Sequence, residues 1–339
     1  MRVLIIGGTG KISTAITRYL LERGESVVHY NRGRQPAPEG VATVIGDRTD
    51  HASFEAQMRE AAPCDCVVDM MGYTPEDAAS CLRAFGGRTG HLIFCSTVDV
   101  YARPPRAYPI REDEALGGRN TYGRNKVVCE QILMAAHERG ELPVTVFRPA
   151  ATYSDEGWLC DSFASGTRML DRLRRGRPVI VHGDGQSLWV ATHRDDVGPP
   201  IARAAGDPRT FGRAYNVAGE EWFTWDRYYQ LIAGAMGAPP PTLVHLPTDL
   251  LAQVSPSRAA ICAENFQFNN VFDNAAARND LGFAYTVPFV DGARRIIAWL
   301  DAHGGLDNSD DDPLYDRVLE AWARLGEAMV RELSEAGGR

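Results

Sequence analysis

The chain has no long hydrophobic run, no basic leader, no disulfide framework and no excess of positive charge. A membrane-spanning helix needs about twenty consecutive apolar residues. None are present, and Met1 leads straight into Arg2-Val3-Leu4-Ile5-Ile6, so a soluble, cytoplasmic protein with no membrane partner is expected. Seven cysteines, odd in number and scattered, exclude a disulfide scaffold. Cys64-Asp65-Cys66 stands alone, and no metal site is expected. A net charge of −8 excludes a general polyanion binder, so no nucleic-acid partner is expected. The run Arg172-Leu173-Arg174-Arg175-Gly176-Arg177 is either a local phosphate pocket or a solvated helix end. Repeats and low-complexity stretches are also missing. What remains is a chain of 339 residues, 44% apolar, with enough material for one large core or a core and a satellite.

Apolar runs at 3–6, 26–30, 41–45, 66–70, 91–95 and 144–147 alternate with helical or polar segments, which predicts an α/β fold with a parallel sheet. The first run ends in Gly7-Gly8-Thr9-Gly10-Lys11-Ile12-Ser13 and leads into a helical pattern through Ala15, Ile16, Tyr19 and Leu20. In a strand, tight turn and helix of this kind, Gly7 and Gly10 let backbone approach a pyrophosphate, which the helix amides bind. Farther along, Tyr122 and Lys126 are four residues apart and so share one helix face. Such pairs also occur on ordinary exposed helices. With Thr97 upstream, however, the arrangement suits a phenol that takes a proton while carbon gives up a hydride, provided that the ammonium lowers a pKa that starts near ~10.

At these residues the chain resembles the extended short-chain dehydrogenase/reductase superfamily, in its NAD-dependent epimerase/dehydratase branch. The resemblance covers roughly residues 1 to 300. It rests on Gly7-x-x-Gly10, Gly46-Asp47, Ser96-Thr97 with Tyr101, Tyr122-x-x-x-Lys126, Arg148-Pro149, His193-Arg194-Asp195-Asp196-Val197 and Tyr215-Asn216-Val217. It implies a Rossmann-type doubly wound parallel sheet with a smaller C-terminal substrate-binding domain. On this reading 1–150 form the dinucleotide-binding domain, with 187–217 returning to it. Residues 151–186 and 218–304 form the substrate domain, and 305–339 a linker and amphipathic helix. The resemblance implies catalytic roles for Tyr122 as base, Lys126 as its cationic support and Thr97 as a partner of the reacting oxygen. Asp99 is a further candidate, since on a strand-like end it shares a side with Thr97 and Tyr101; it equally suits the cap of a turn. Asp195-Asp196 is read as a helix cap.

Cofactor contacts are expected at Gly7, Thr9, Gly10, Lys11, Ile12, Asn31, Arg32, Arg34, Asp47, Arg48, Met71, Gly72 and Pro149, in addition to Tyr122 and Lys126. An acidic side chain normally ends the second strand and accepts the ribose hydroxyls. Here Asn31 is followed by Arg32 and Arg34, which favours NADP over NAD. The resemblance implies a sugar substrate, nucleotide-linked in view of the family, with contacts expected from Thr97, Tyr153, Arg168, Arg172 and Arg258. The reaction expected is epimerisation or dehydration. The alternatives are a net NADP-dependent ketone reductase or alcohol dehydrogenase, and a non-catalytic nucleotide- or RNA-binding regulator. Finally, Leu314, Val318, Trp322, Leu325, Met329 and Leu333 make one stripe that must be buried, either on its own subunit or across a homodimer.

Overall fold

The computed structural model describes residues 1–157, 159–164 and 166–336. Expectations for 337–339, and for Trp158 and Ser165 within the segment 151–186, lie outside the described residues. The chain divides into two compact units. The first comprises Met1–Ser154, Val190–Glu221 and Val271–Phe289; the second comprises Asp155–Trp189, Trp222–Asn270 and Val290–Arg339. The sequence reading put all of 218–304 in the substrate half. Structure assigns 271–289 to the first unit instead, because Phe272 joins the core of Val98, Tyr101 and Ile110 while Ala277, Leu281 and Phe283 pack with the main sheet.

The first unit is built on seven parallel strands. They are β1 (Arg2–Ile6), β2 (Ser26–Asn31), β3 (Ala42–Ile45), β4 (Cys66–Asp69), β5 (His91–Cys95), β6 (Val144–Pro149) and the strand Arg213–Val217. In space the order is Arg213–Val217, β6, β5, β4, β1, β2, β3. The chain winds outward from β1 through β2 and β3, then crosses back to β4 and winds the other way. The crevice this reversal opens at the carboxyl ends of β1 and β4 is the usual ligand position of such sheets.

Alternation along β1 explains why both faces are covered. Val3 and Ile5 join one core with Ile16, Leu20, Val197 and Ile201, whereas Leu4 and Ile6 join another with Phe54, Ala78, Cys81 and Leu133. The helices on these faces include α1 (Lys11–Glu22), α2 (His51–Glu60), α3 (Pro75–Phe85) and α4 (Thr121–Glu138). Asp50 caps α2, Asn120 caps α4, and Thr74 with Asp77 forms a reciprocal capping box on α3, with Pro75 in its first turn. Helix α1 begins differently. Its N-cap is Gly10, and no side chain caps its first turn.

The helix Arg194–Ala204 corrects one expectation. His193, not the acidic pair, is its N-cap, accepting from the Asp195 amide at 3.3 Å. Asp195 pairs with Arg18 at 2.8 Å, and Asp196 accepts from the Thr286 hydroxyl and the Val287 amide. Both acids are structural ties of the first turn.

In the second unit, Val179–His182 pairs in parallel with Leu243–Leu246, and Leu188–Trp189 pairs antiparallel with Phe223–Thr224. Trp225 packs against Trp189 and Phe266 with ring centroids 4.9 and 4.6 Å apart. The helix Pro313–Ala336 docks by its first turns. Tyr315 is 1% exposed and its hydroxyl accepts from the Ile180 amide at 2.7 Å.

Candidate active site

Two cavities in the first unit share Gly7, Gly10 and Met71 and so form one cleft. The catalytic end, about 270 Å³, is lined by Lys11, Ile12, Thr97, Tyr122, Lys126 and Pro149, among others. Thr97 follows β5, and α4 carries Tyr122 and Lys126. Asn120 fixes the start of α4 by accepting from the Gly123 amide at 2.7 Å. Gly123 and Gly118 permit a close approach here: a Cβ on Gly123 would sit 2.5 Å from the Asp99 carbonyl oxygen.

Lys126 is 1% exposed. Its ammonium donates to the Cys95 carbonyl at 2.6 Å and lies 4.6, 4.9 and 5.9 Å from the ring centres of Phe94, Tyr73 and Tyr122. A buried cation without a carboxylate partner is costly, and three aromatic faces offset part of that cost. Burial still lowers the lysine's pKa. Desolvation raises the pKa of the Tyr122 phenol above that of a free tyrosine, reinforced by the charge of Asp99, while the nearby Thr97 hydroxyl acts in the opposite direction. This differs from the expectation of a phenolate stabilised by Lys126. Burial is the largest influence on the phenol and favours its protonated form, although the residue as a whole is 40% exposed.

Asp99 does not extend a strand. β5 ends at Cys95, and Val98–Val100 is a single 3₁₀ turn capped by Thr97, whose hydroxyl accepts from the Asp99 amide at 3.2 Å. The alternation argument for Asp99 therefore fails, although its charge does reach Tyr122. Sequence reasoning missed Tyr73 altogether. Its ring lies 6.3 Å from that of Tyr122 and is 43% exposed at the cleft, and its amide is pinned at 3.0 Å by Asp77, the capping-box acid of α3. The signal was there: an aromatic residue placed directly after Met71-Gly72 and before a strong cap. Ser96, also missed, lines the same end.

The adenosine end, about 310 Å³, is lined by Thr9, Asn31, Arg32, Arg34, Asp47 and Arg48, among others. Arg32 and Arg34 are exposed. Asn31 turns the loop by accepting from the Gly33 amide at 2.8 Å. Asp47 accepts from the amide and hydroxyl of Thr49, which with Arg32 and Arg34 nearby holds its pKa below the usual value. Arg48 lines this end while being held from within: its guanidinium donates to the Asp77 carbonyl and the Ser80 hydroxyl, 3.8 Å from Asp69 and 4.0 Å above the Phe54 ring. Gly72 lines neither cavity, and serves by letting Phe94 approach, since its Cβ would fall 2.7 Å from that ring.

The expected phosphate arginines are also committed elsewhere. Arg172, 1% exposed, donates to the Pro178 carbonyl at 2.8 Å and to Asp316 at 2.6 Å, and stacks on Tyr315. Arg258 makes two bonds to Asp312, at 3.0 and 2.7 Å. Arg168 opens the helix Arg168–Arg174 and acts on the charge of Asp307. Tyr153 is 5% exposed, edge-on to His193 and Phe289. None of the four lines the cleft. Among the described residues, no cluster of side chains is arranged to hold a metal ion and no helix is long and apolar enough to cross a membrane.

The residues present fit a dinucleotide. Gly7 takes φ of +83°, and a Cβ there would stand 2.5 Å from the Met71 side chain; the start of α1, with no side-chain cap, lines the cleft through Gly10, Lys11, Ile12 and Ser13. Among the residues that line the cleft, Asn31 Nδ2, Arg48 Nε and Ser96 Oγ are buried without a protein partner.

Comparison with known proteins agrees. The profile of the NAD dependent epimerase/dehydratase family matches residues 3–86 and 75–218, more than half of the chain. The chain belongs to this family. Among curated relatives, 2'-dehydrokanamycin reductase of Streptomyces kanamyceticus is 29% identical over 275 residues, 80% of this chain and 77% of that protein. Chloroplast stem-loop binding protein of 41 kDa b from Arabidopsis thaliana is 24% identical over 261 residues, 72% of this chain and 65% of that protein. The structure of UDP-glucose 4-epimerase from Bifidobacterium longum in complex with NAD+ and UDP has a TM-score of 0.69 at 20% identity, covering 89% of this chain and 99% of that one. At that identity the likeness shows the fold. The family's relatives include reductases and epimerases, so the chain is an oxidoreductase-type member of an NAD-dependent epimerase, dehydratase and reductase family.

Proposed function

We propose that this epimerase/dehydratase-family chain is an NADP(H)-dependent oxidoreductase that reduces a ketone to a secondary alcohol on a polyhydroxylated, sugar-like substrate, with net consumption of cofactor. The observation that carries this reading is one cleft lined by Tyr122, Thr97 and buried Lys126 at one end and by the exposed arginines Arg32 and Arg34 at the other. A bound nicotinamide supplies the hydride. Thr97 and Tyr122 hold the substrate oxygen between their hydroxyls. As negative charge develops on that oxygen, Tyr122 delivers its proton, and Lys126 stabilises the phenolate left behind. The raised pKa of the phenol keeps that proton in place until it is needed. Lys11 and Ile12 would present amides to the pyrophosphate, while Arg32 and Arg34 would pair with a 2′-phosphate.

Two facts favour a free over a nucleotide-linked sugar. Arg172 and Arg258 are bound in ion pairs, and a relative that matches 80% of the chain is named 2'-dehydrokanamycin reductase. A second reading, epimerisation or dehydration of a nucleotide-linked sugar, draws support from Asp99, whose charge reaches Tyr122. One experiment separates them. The purified protein is stripped of bound nucleotide and given NADPH with a panel of keto sugars and keto aminoglycosides, and loss of NADPH absorbance is followed. Stoichiometric NADPH oxidation is expected. Retention of NAD through purification, with interconversion of UDP-glucose and UDP-galactose and no net NADPH loss, would overturn it in favour of the second reading.

A further inference from the structure

Asp69 is the last residue of β4, two positions before Met71, which lines both ends of the cleft. It is 1% exposed. One carboxylate oxygen, Oδ1, accepts from the Met71 amide at 2.8 Å. The other, Oδ2, is buried with no hydrogen-bond partner among the described residues, and the Arg48 guanidinium stands 3.8 Å from it. A carboxylate oxygen left without a hydrogen bond in the interior is costly. A neutral side chain would escape that cost, which makes the charge itself informative.

The carboxylate and Lys126 share a neighbour. Asp69 pairs in register with Phe94 of β5, and the next residue, Cys95, gives the Lys126 ammonium its carbonyl at 2.6 Å. The Phe94 ring centre is 4.6 Å from that ammonium. The edge of the ring and Asp69 Oδ2 both border the place where a Cβ on Gly72 would stand, at 2.7 and 3.2 Å, so glycine lets ring and carboxylate close together. The other titratable groups that face Lys126 supply little negative charge. Burial holds the Tyr73 and Tyr122 phenols above the ordinary value, and it pushes the Cys95 and Cys129 thiols up to about 11 and about 12. All four are uncharged at neutral pH. Burial, helped by the charge of Asp69, holds the Cys81 thiol of α3 well up in the same way. Glu130, one turn along α4, is a carboxylate but is committed to Arg148 by bonds of 3.0 and 2.6 Å. Burial lowers Lys126, and Asp69 remains as the standing charge that opposes it.

We propose that Asp69 is the counter-charge of Lys126, a positioning residue that supports the buried cation from the Phe94 side of its enclosure while its bond to Met71 fixes the turn between the two ends of the cleft. Arg48 draws on the same carboxylate from the adenosine end, so one negative charge serves a cation at each end. The catalytic meaning of this support rests on the proton-transfer reading of Tyr122 and Lys126; the electrostatic support itself does not.

The scarcity of lysine makes a direct test possible, because Lys11 and Lys126 are the only lysines in the chain. In the full chain labelled with carbon-13 at lysine Cε, NMR shifts followed against pH report each ammonium separately, with no substrate present. In the wild type the Lys126 midpoint should lie below that of Lys11 but above neutrality. Asp69→Asn keeps an oxygen for the Met71 amide and loses the charge, so the Lys126 midpoint should fall by about one pH unit or more while Lys11 stays in place. Asp69→Glu keeps the charge and should hold the midpoint close to the wild type. A merely structural role would loosen the packing, rehydrate the lysine and raise its midpoint, which is the opposite sign. The alkaline limb of NADPH-dependent ketone reduction should move to lower pH together with the lysine. A midpoint below neutrality in the wild type, or one unmoved or raised in Asp69→Asn, would overturn the proposal. A lysine midpoint that falls while the pH profile of reduction stays fixed would uphold the support from Asp69 and overturn the proton-transfer reading instead.

Discussion

The two ends of the cofactor cleft are built by opposite means. At the catalytic end the groups are held from several elements around a buried ammonium, with Thr97 at 7%, Lys126 at 1% and Tyr122 at 40% exposure and the ammonium ringed by Phe94, Tyr73 and Tyr122. At the adenosine end, Arg32 and Arg34 stand in solvent on a single loop, turned by one Asn31 hydrogen bond. Burial amplifies electrostatics and makes geometry exacting, so the first end suits chemistry. Exposure weakens each contact and leaves it easy to change, so the second suits selection between related cofactors.

If this contrast is right, the largest effect follows from Tyr122→Phe, which should lower turnover by 10²-fold or more, up to about 10⁴-fold, while nucleotide affinity measured by fluorescence titration stays within a few-fold. Near wild-type turnover would erase the contrast. Cutting the ion pair behind the catalytic helix comes next. Arg148 and Glu130 are 6% and 4% exposed and share two hydrogen bonds, at 3.0 and 2.6 Å, so Arg148→Ala should cost about 3–5 kcal/mol of stability in urea unfolding by stranding the glutamate. At the junction of the two ends, Gly7→Ala combines a φ of +83° with a Cβ 2.5 Å from Met71. It should lower nucleotide affinity at least tenfold, through about 1–2 kcal/mol of backbone strain and a displaced Met71. The adenosine end should give the smallest change. Arg32→Ala should weaken NADPH by roughly tenfold and leave NADH unchanged, and the NADPH affinity lost should shrink as salt is raised.

A pH profile sharpens the same contrast. Desolvation holds the Tyr122 pKa above its ordinary value, so the proton-donating form persists through neutral pH. Ketone reduction should therefore be flat from mildly acid to mildly alkaline pH and fall only at the alkaline end. Alcohol oxidation needs the deprotonated form and should rise with pH over the same range. A reduction rate that fell through neutrality would mean that Lys126 outweighs burial after all.

Residues whose meaning is local could be read directly. The strand, glycine turn and helix from Arg2 to Glu22 announce themselves because period-two and helical patterns, and the special conformation of Gly7, are properties of neighbouring residues. The i, i+4 pair on α4 is equally local, and the structure brings Thr97, Tyr122 and Lys126 to one cavity. Arg48 was expected as a cofactor contact, and Arg172 and Arg258 as substrate contacts, because a sequence shows a charge without its partner. Their partners lie 29, 144 and 54 positions away, at the Asp77 carbonyl, Asp316 and Asp312. Asp99 failed for a subtler reason. Whether a chain leaves a sheet as strand or as 3₁₀ turn depends on where pairing ends, and β5 stops pairing at Cys95.

The sequence by itself determined the order of strands and helices, the glycine turn and the spacing of tyrosine and lysine, since backbone propensity and side-chain period act over a few residues. Only the tertiary structure decided which charges remain free, that Tyr73 joins the aromatic enclosure of Lys126, and that burial pushes the Tyr122 phenol up. Each of these depends on desolvation, and desolvation is set by what the rest of the chain packs around a group.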